Sequence, residues 1–246
     1  MAKDTEKRAE LIEHLAELRT RIIRSLIYVA VGMVVAYFFS DWFIGVLTRQ
    51  LKQVLHASHG RMIFTSITEA FTLKLQVAFV GGLILASPLV MMEVWRFVAP
   101  GLTASEKRPF RWIAPLSVFL FIGGAAVCYS ILSMAFKWFA SFTPPDVDIY
   151  QSLPAGIRFV LLMLVAFGCG FELPVVLMLL AQIGIVNSRM LKRNWRYSVV
   201  AISIIAAAAT PSNDILSMMT MTVPLVVLYL LSIWLVKFVE RKPSRE

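Results

Sequence analysis

Hydrophobic runs alternate with short charged segments along the whole chain. A bilayer-crossing helix needs about 20 mostly apolar residues. Six stretches fit or nearly fit: 22–39, 71–98, 110–138, 155–183, 197–209 and 215–236. A polar segment, 1–21, precedes them with a helical pattern of its own. At 100° per residue, Leu11, Leu15, Leu18 and Ile22 fall on one side, and Glu6, Glu10, Glu13 and Glu17 on the other. An amphipathic helix with an apolar and an acidic stripe thus leads into the first span. The second span carries Gly81, Gly82 and Pro88, and the fourth carries Gly168, Gly170 and Pro174. The fifth is short, roughly 21 Å against a hydrocarbon core of about 30 Å. Either the bilayer thins there or neighbouring helices shield it. Thr210-Pro211-Ser212-Asn213-Asp214 reads as a tight turn, with Asp214 able to cap the last helix. The connection 40–70 mixes polar and apolar positions and predicts short helices over the outer face. No repeat or linker divides residues 1–246, so a single domain is expected.

Composition agrees: 59% of the 246 residues are hydrophobic and 16% charged, the balance of an integral membrane protein. The net charge of +9 does not signal nucleic acid, because the basic residues flank the spans. Eighteen Lys and Arg fall on the side holding the termini and six on the other, which predicts both ends in the cytoplasm. The polar start predicts no cleavable signal peptide. All six Trp (42, 95, 112, 138, 195 and 234) lie near span ends, as interfacial anchors do. The expected class is an all-α polytopic membrane protein with six transmembrane helices, the fifth and sixth short.

Little in the chain suggests catalysis. His14, His56 and His59 lie outside the spans, so no buried Ser–His pair can form. There is no His-Glu-x-x-His, no Gly-rich phosphate loop with Lys, and no Asp well inside a span. Cys128 and Cys169 form neither a secreted-type disulfide nor a metal site. No enzyme activity, metal or cofactor is expected.

Charges within the membrane are expensive and merit a role. Glu172 lies in the fourth span with no basic residue of that span in reach. It either lines a hydrated groove or is a protonated side chain bonded to a neighbouring helix. Glu93 has Arg96 three residues on, which predicts an i,i+3 pair snorkelling to the surface. On the basic face, the carboxylates are the stripe Glu6, Glu10, Glu13 and Glu17, then Glu106 in the second–third loop, with Asp4, Glu240 and Glu246. Glu17 can pair with Arg21 at i+4, which would neutralise it locally. Glu17 and Glu106 can alternatively form a fork for guanidinium groups.

His14-Leu15-Ala16-Glu17-Leu18-Arg19-Thr20-Arg21 resembles the HLxELRxR signature that opens the TatC family, the polytopic core subunit of the twin-arginine translocase. Ser87-Pro88, Trp95 through Leu102 and Glu106-Lys107-Arg108 are similar to the family's second-helix end and first cytoplasmic loop. Ala166-Phe167-Gly168 with Phe171-Glu172-Leu173-Pro174 resembles its fourth helix, and Thr210-Pro211 with Asp214 its last outer turn. That turn is one residue longer here than the family's Thr-Pro-Pro-Asp, and Met218 stands where Gln is frequent. A proline frequent in the family's first outer loop is missing near 49–51. A Ser-Pro-x-Glu pattern is here Ser66-Ile67-Thr68-Glu69.

The resemblance implies a receptor for twin-arginine signal peptides in a bacterial cytoplasmic (inner) membrane. It implies assembly in several copies with single-span TatA- and TatB-type subunits amid membrane lipid. Export of folded proteins would be driven by the proton-motive force. Glu17 and Glu106 would then contact the arginine pair, Arg19 and Phe97 would shape the site, and Glu172 would line the groove. Thr210 and Asp214 would belong to a partner contact. The alternative, from another class, is a proton-coupled small-molecule carrier using Glu172.

Overall fold

The structure, a computed structural model, describes residues 2–57, 60–98, 113–144, 147–210 and 215–240. Helix α1 (Ala2–Phe38) is one unbroken rod of 37 residues. The amphipathic segment and the first span are therefore a single helix, not two elements. Nothing between them breaks it, because 1–39 holds no proline and its only glycine is Gly32. Helix α2 (Ser40–Ala57) follows at once. It buries Leu47, Thr48, Leu51, Val54 and Leu55 at helical spacing, and Tyr129 pins it by donating to the Val46 carbonyl at 2.9 Å. One longer helix thus takes the place of the several short ones expected in 40–70.

Strand β1 (Arg61–Ile63) pairs in parallel with β2 (Tyr150–Ser152), in register Arg61–Tyr150, Met62–Gln151 and Ile63–Ser152. Among the described residues the fold is thus all-α but for this clasp. Helix α3 (Glu69–Val98) starts where Glu69 accepts from the Thr65 backbone at 2.7 Å and its hydroxyl at 2.5 Å. Pro88 cannot donate to the Ile84 carbonyl one turn back. The Ser87 hydroxyl does so instead, at 2.7 Å, and the helix runs on. Helix α4 is Ile113–Ala140.

The fourth apolar run is not continuous. It divides into α5 (Leu153–Gly170) and α6 (Leu173–Gln182), with a turn at Phe171–Glu172. Pro174 is the cause, since its ring removes the bond to Gly170 and crowds that carbonyl. Helix α6 ends in a Schellman motif. Gly184 takes φ +76°, its N–H reaches the Ala181 carbonyl, and Ile185 N–H reaches that of Leu180. Helices α7 (Ser188–Arg193), α8 (Trp195–Ala209) and α9 (Ile215–Glu240) complete the chain.

Among the described residues, five stretches are long and apolar enough to cross a membrane: Ile12–Phe38, Glu69–Phe97, Pro115–Ala140, Leu153–Gln182 and Ser217–Phe238. Trp195–Ala209 is a shorter apolar helix, as the fifth span predicts. The last helix is not short: its 26 residues rise about 39 Å, enough to span. The core is built from α2–α9, with Leu191 the contribution of α7, around Phe167, Val160, Ile157, Leu73 and Met221. Helix α1 stands outside it and packs chiefly along α3, leaving Leu26, Val31 and Phe38 exposed.

Candidate functional site

The face that α1 turns toward α3 is not the apolar stripe of its first segment. Leu15 and Ile22 are exposed, whereas Glu17, Arg21, Ser25, Val29, Gly32 and Ala36 are wholly or partly covered. The two helices run antiparallel, with His14 against Phe97, Arg21 against Glu93, Gly32 against Gly82 and Ala36 against Gly81.

At one end of this pair lies a charge network. Arg21 Nη1 donates to Glu93 Oε2 at 2.7 Å, and its Nη2 donates to Glu17 Oε1 at 3.1 Å. Arg96 donates to Glu93 Oε1 at 3.3 Å. The i,i+3 pair of Glu93 with Arg96 exists, but Arg21 of the neighbouring helix is the closer partner. Glu93 does not snorkel to the surface either. Its side chain is 2% exposed, against 32% for Glu17. One turn away, His14 and Phe97 stack with centroids 4.4 Å apart and planes 16° from parallel.

Glu17 and Phe97 therefore belong to one crossing. Arg19 does not join them: it is exposed and sits about 200° around the helix from Glu17. Glu13 is exposed, while the side chains of Glu6 and Glu10 lie outside the described residues. So do Glu106, in 99–112, and Asp214, in 211–214.

Glu172 is 9% exposed and sits at the break between α5 and α6. Its carboxylate is in reach of the Ser117 hydroxyl, while its Oε1 is buried without a hydrogen-bond partner. Ser117 accepts from Trp95 Nε1 at 3.0 Å, linking α3, α4 and the break. Trp95 is thus a buried core residue, not an interfacial anchor, while Trp42, Trp138, Trp195 and Trp234 are exposed as anchors should be. Trp112 lies outside the described residues. Thr210 caps α8, is buried, and donates to the Ala207 carbonyl at 3.2 Å.

Sequence reasoning missed the pairing of Arg21 with Glu93 and the link from Trp95 through Ser117. A buried carboxylate one turn from a span end was the available signal for the first. Among the described residues, no group of three His, Cys, Asp or Glu could hold a metal.

Long apolar helices, one of them broken at a buried carboxylate, and charges gathered at one end of a helix pair define a multi-pass membrane protein. The chain belongs to the TatC family of Sec-independent protein translocase proteins, whose model matches residues 13–224. It is 35% identical over 238 residues to the TatC of Carboxydothermus hydrogenoformans, covering 96% of each chain. It is 34% identical to the TatC of Aquifex aeolicus, covering 94% of this chain and 96% of that one. A crystal structure of a twin-arginine translocase receptor, TatC, superposes with a TM-score of 0.83 at 33% identity, covering 93% of this chain and 100% of that one. As a component of the Tat translocase, the protein is a transporter subunit rather than an enzyme.

Proposed function

We propose that the chain is the signal-peptide receptor and scaffold of its translocase. In this reading it spans a bacterial inner membrane six times with both termini in the cytoplasm, the short α8 being one of the spans. It receives twin-arginine signal peptides at Glu17 and Glu106. It assembles in several copies with single-span TatA- and TatB-type subunits, and export of folded cargo draws on the proton-motive force. Glu172 and Thr210 with Asp214 serve the groove and the partner contact.

The observation that carries the reading is the state of Glu17. Its carboxylate is a third exposed, and only Oε1 is engaged among the described residues. Around it the same end of the helix pair carries Arg19, Arg24 and Arg96, with exposed Glu13 one turn back on α1. A partly exposed carboxylate with an oxygen to spare suits a guanidinium, whose planar fork an ammonium cannot copy.

The test is photo-crosslinking from positions beside Glu17 and Glu106 to a signal peptide bearing Arg-Arg or Lys-Lys. Crosslinks that need the arginine pair and are lost in Glu17→Gln and Glu106→Gln are expected. Unchanged crosslinking in both variants would refute the assignment.

A further inference from the structure

Arg21 is shared between two carboxylates of unequal standing. The contact to Glu93 is short and buried, at 2.7 Å with 2% exposure. The contact to Glu17 is longer and wetter, at 3.1 Å with 32% exposure. Water and salt screen the second far more than the first. An exposed i,i+4 pair is weak, whereas a buried carboxylate stripped of its partner is costly. Arg21 is therefore anchored on Glu93 and only leans on Glu17. Glu93 keeps Arg96 on its other oxygen, and Arg24 adds to the positive field there. If Arg21 lets go of Glu17, no buried charge loses its partner.

We propose that Arg21 is a resident guanidinium on Glu17, an internal competitor that an arriving substrate arginine displaces. The inference rests on Glu17 being a signal-peptide contact. While Arg21 holds Glu17, an arriving cation meets a neutralised carboxylate beside Arg21, Arg24 and Arg96. When the substrate arginine takes Glu17, Arg21 turns its whole fork onto Glu93. Both carboxylates stay paired, and the exchange trades one guanidinium for another. Such a competitor lowers the affinity of every ligand of Glu17 by one common factor, the fraction of time Glu17 is free. It sets how tightly the site binds, not how well it tells arginine from lysine.

The two partners of one ion pair should then act in opposite directions. Arg21→Gln removes the competitor. Arg21→Lys leaves a single ammonium, which stays on the buried Glu93 and releases Glu17 at unchanged net charge. Glu93→Gln removes the anchor and leaves Arg21 to Glu17 alone. A purely structural pair would shift binding the same way from either side.

The experiment measures equilibrium binding of a fluorescent twin-arginine peptide, and of its Lys-Lys form, to the full chain in nanodiscs. Thermal unfolding is followed in parallel. Both Arg21 variants should bind the Arg-Arg peptide about threefold tighter, the size of an exposed ion pair. The ratio between the two peptides should not change, and Glu93→Gln should bind about threefold weaker. The proposal is overturned if the Arg21 variants that fold bind no tighter, or if Glu93→Gln binds as well as the parent. Glu17→Gln separates the two layers. If it binds the peptide like the parent, Glu17 is not a contact of the peptide, and the reading beneath the proposal fails at that residue. If it loses binding while the Arg21 variants gain nothing, only the competitor role is wrong.

Discussion

Gly32 of α1 and Gly82 of α3 meet backbone to backbone: a Cβ built on Gly32 would stand 2.6 Å from the Gly82 carbonyl oxygen. This crossing fixes the register that brings Arg21 to Glu93 and His14 to Phe97. Helix α1 rests on little besides α3, so its attachment depends on the crossing.

Gly82→Ala should therefore loosen α1. The atoms nearest the added methyl are the Met33 and Gly32 backbones, and a backbone cannot rotate aside. A loss of about 1–3 kcal/mol is expected, as for other overpacked contacts. Gly45→Ala is the control, because its Cβ enters open space on a helix. It should be neutral, or stabilising by about 0.5–1 kcal/mol. Melting of the detergent-solubilised variants checks both, and equal Tm values would contradict the crossing's role.

Trp95 should behave unlike the other described tryptophans. It is 6% exposed and bonded to Ser117, while Trp234 is 56% exposed. In bilayers of brominated lipid, a variant keeping only Trp234 should lose much of its fluorescence, and one keeping only Trp95 should be spared. Trp95→Phe should lower stability by about 1 kcal/mol through the lost hydrogen bond. Equal quenching of the two variants would place Trp95 at the lipid surface.

What could be read from the sequence depended on range. Apolar runs and their Gly and Pro markers are local, so the long spans and the short α8 were legible. So was the i,i+4 partner of Glu17. The break at Glu172 was half legible: Pro174 was in view, but a long apolar run reads as one helix wherever neighbours can satisfy the freed carbonyls. Strands β1 and β2 were not legible. Each has three residues, and they pair across 89 positions, Arg61 to Tyr150. The partner of Glu93 was missed for the same reason, since Arg96 lay three residues away and Arg21 seventy-two. For Trp95, position near a span end suggested the interface, but which side of the helix faces protein is set by packing.

The end of the last helix offers a further test. Glu240 accepts from the Ser188 backbone N–H at 2.6 Å and from its hydroxyl at 2.5 Å. Its carboxylate thus caps α7, where the unpaired N–H groups and the helix dipole favour an anion. The same contact ties the end of α9 to the connection between α6 and α8. Glu240→Ala removes both bonds and leaves the Ser188 groups unserved, a loss of about 1–3 kcal/mol if they stay buried. Opening the connection to water relieves that loss, so α7 should detach locally rather than destabilise the whole chain. Arg189, Lys192 and Arg193 lie in α7, so trypsin reports the opening directly. Glu240→Ala should be cut there faster than the parent. Ser188→Ala should be intermediate, because it keeps one of the two bonds, and Glu240→Gln milder still, because its amide can accept from the N–H and donate to the hydroxyl oxygen and loses only the charge. Digestion of Glu240→Ala at the parent's rate would mean that Asn187, which accepts from Met190 N–H at 2.7 Å, holds α7 by itself.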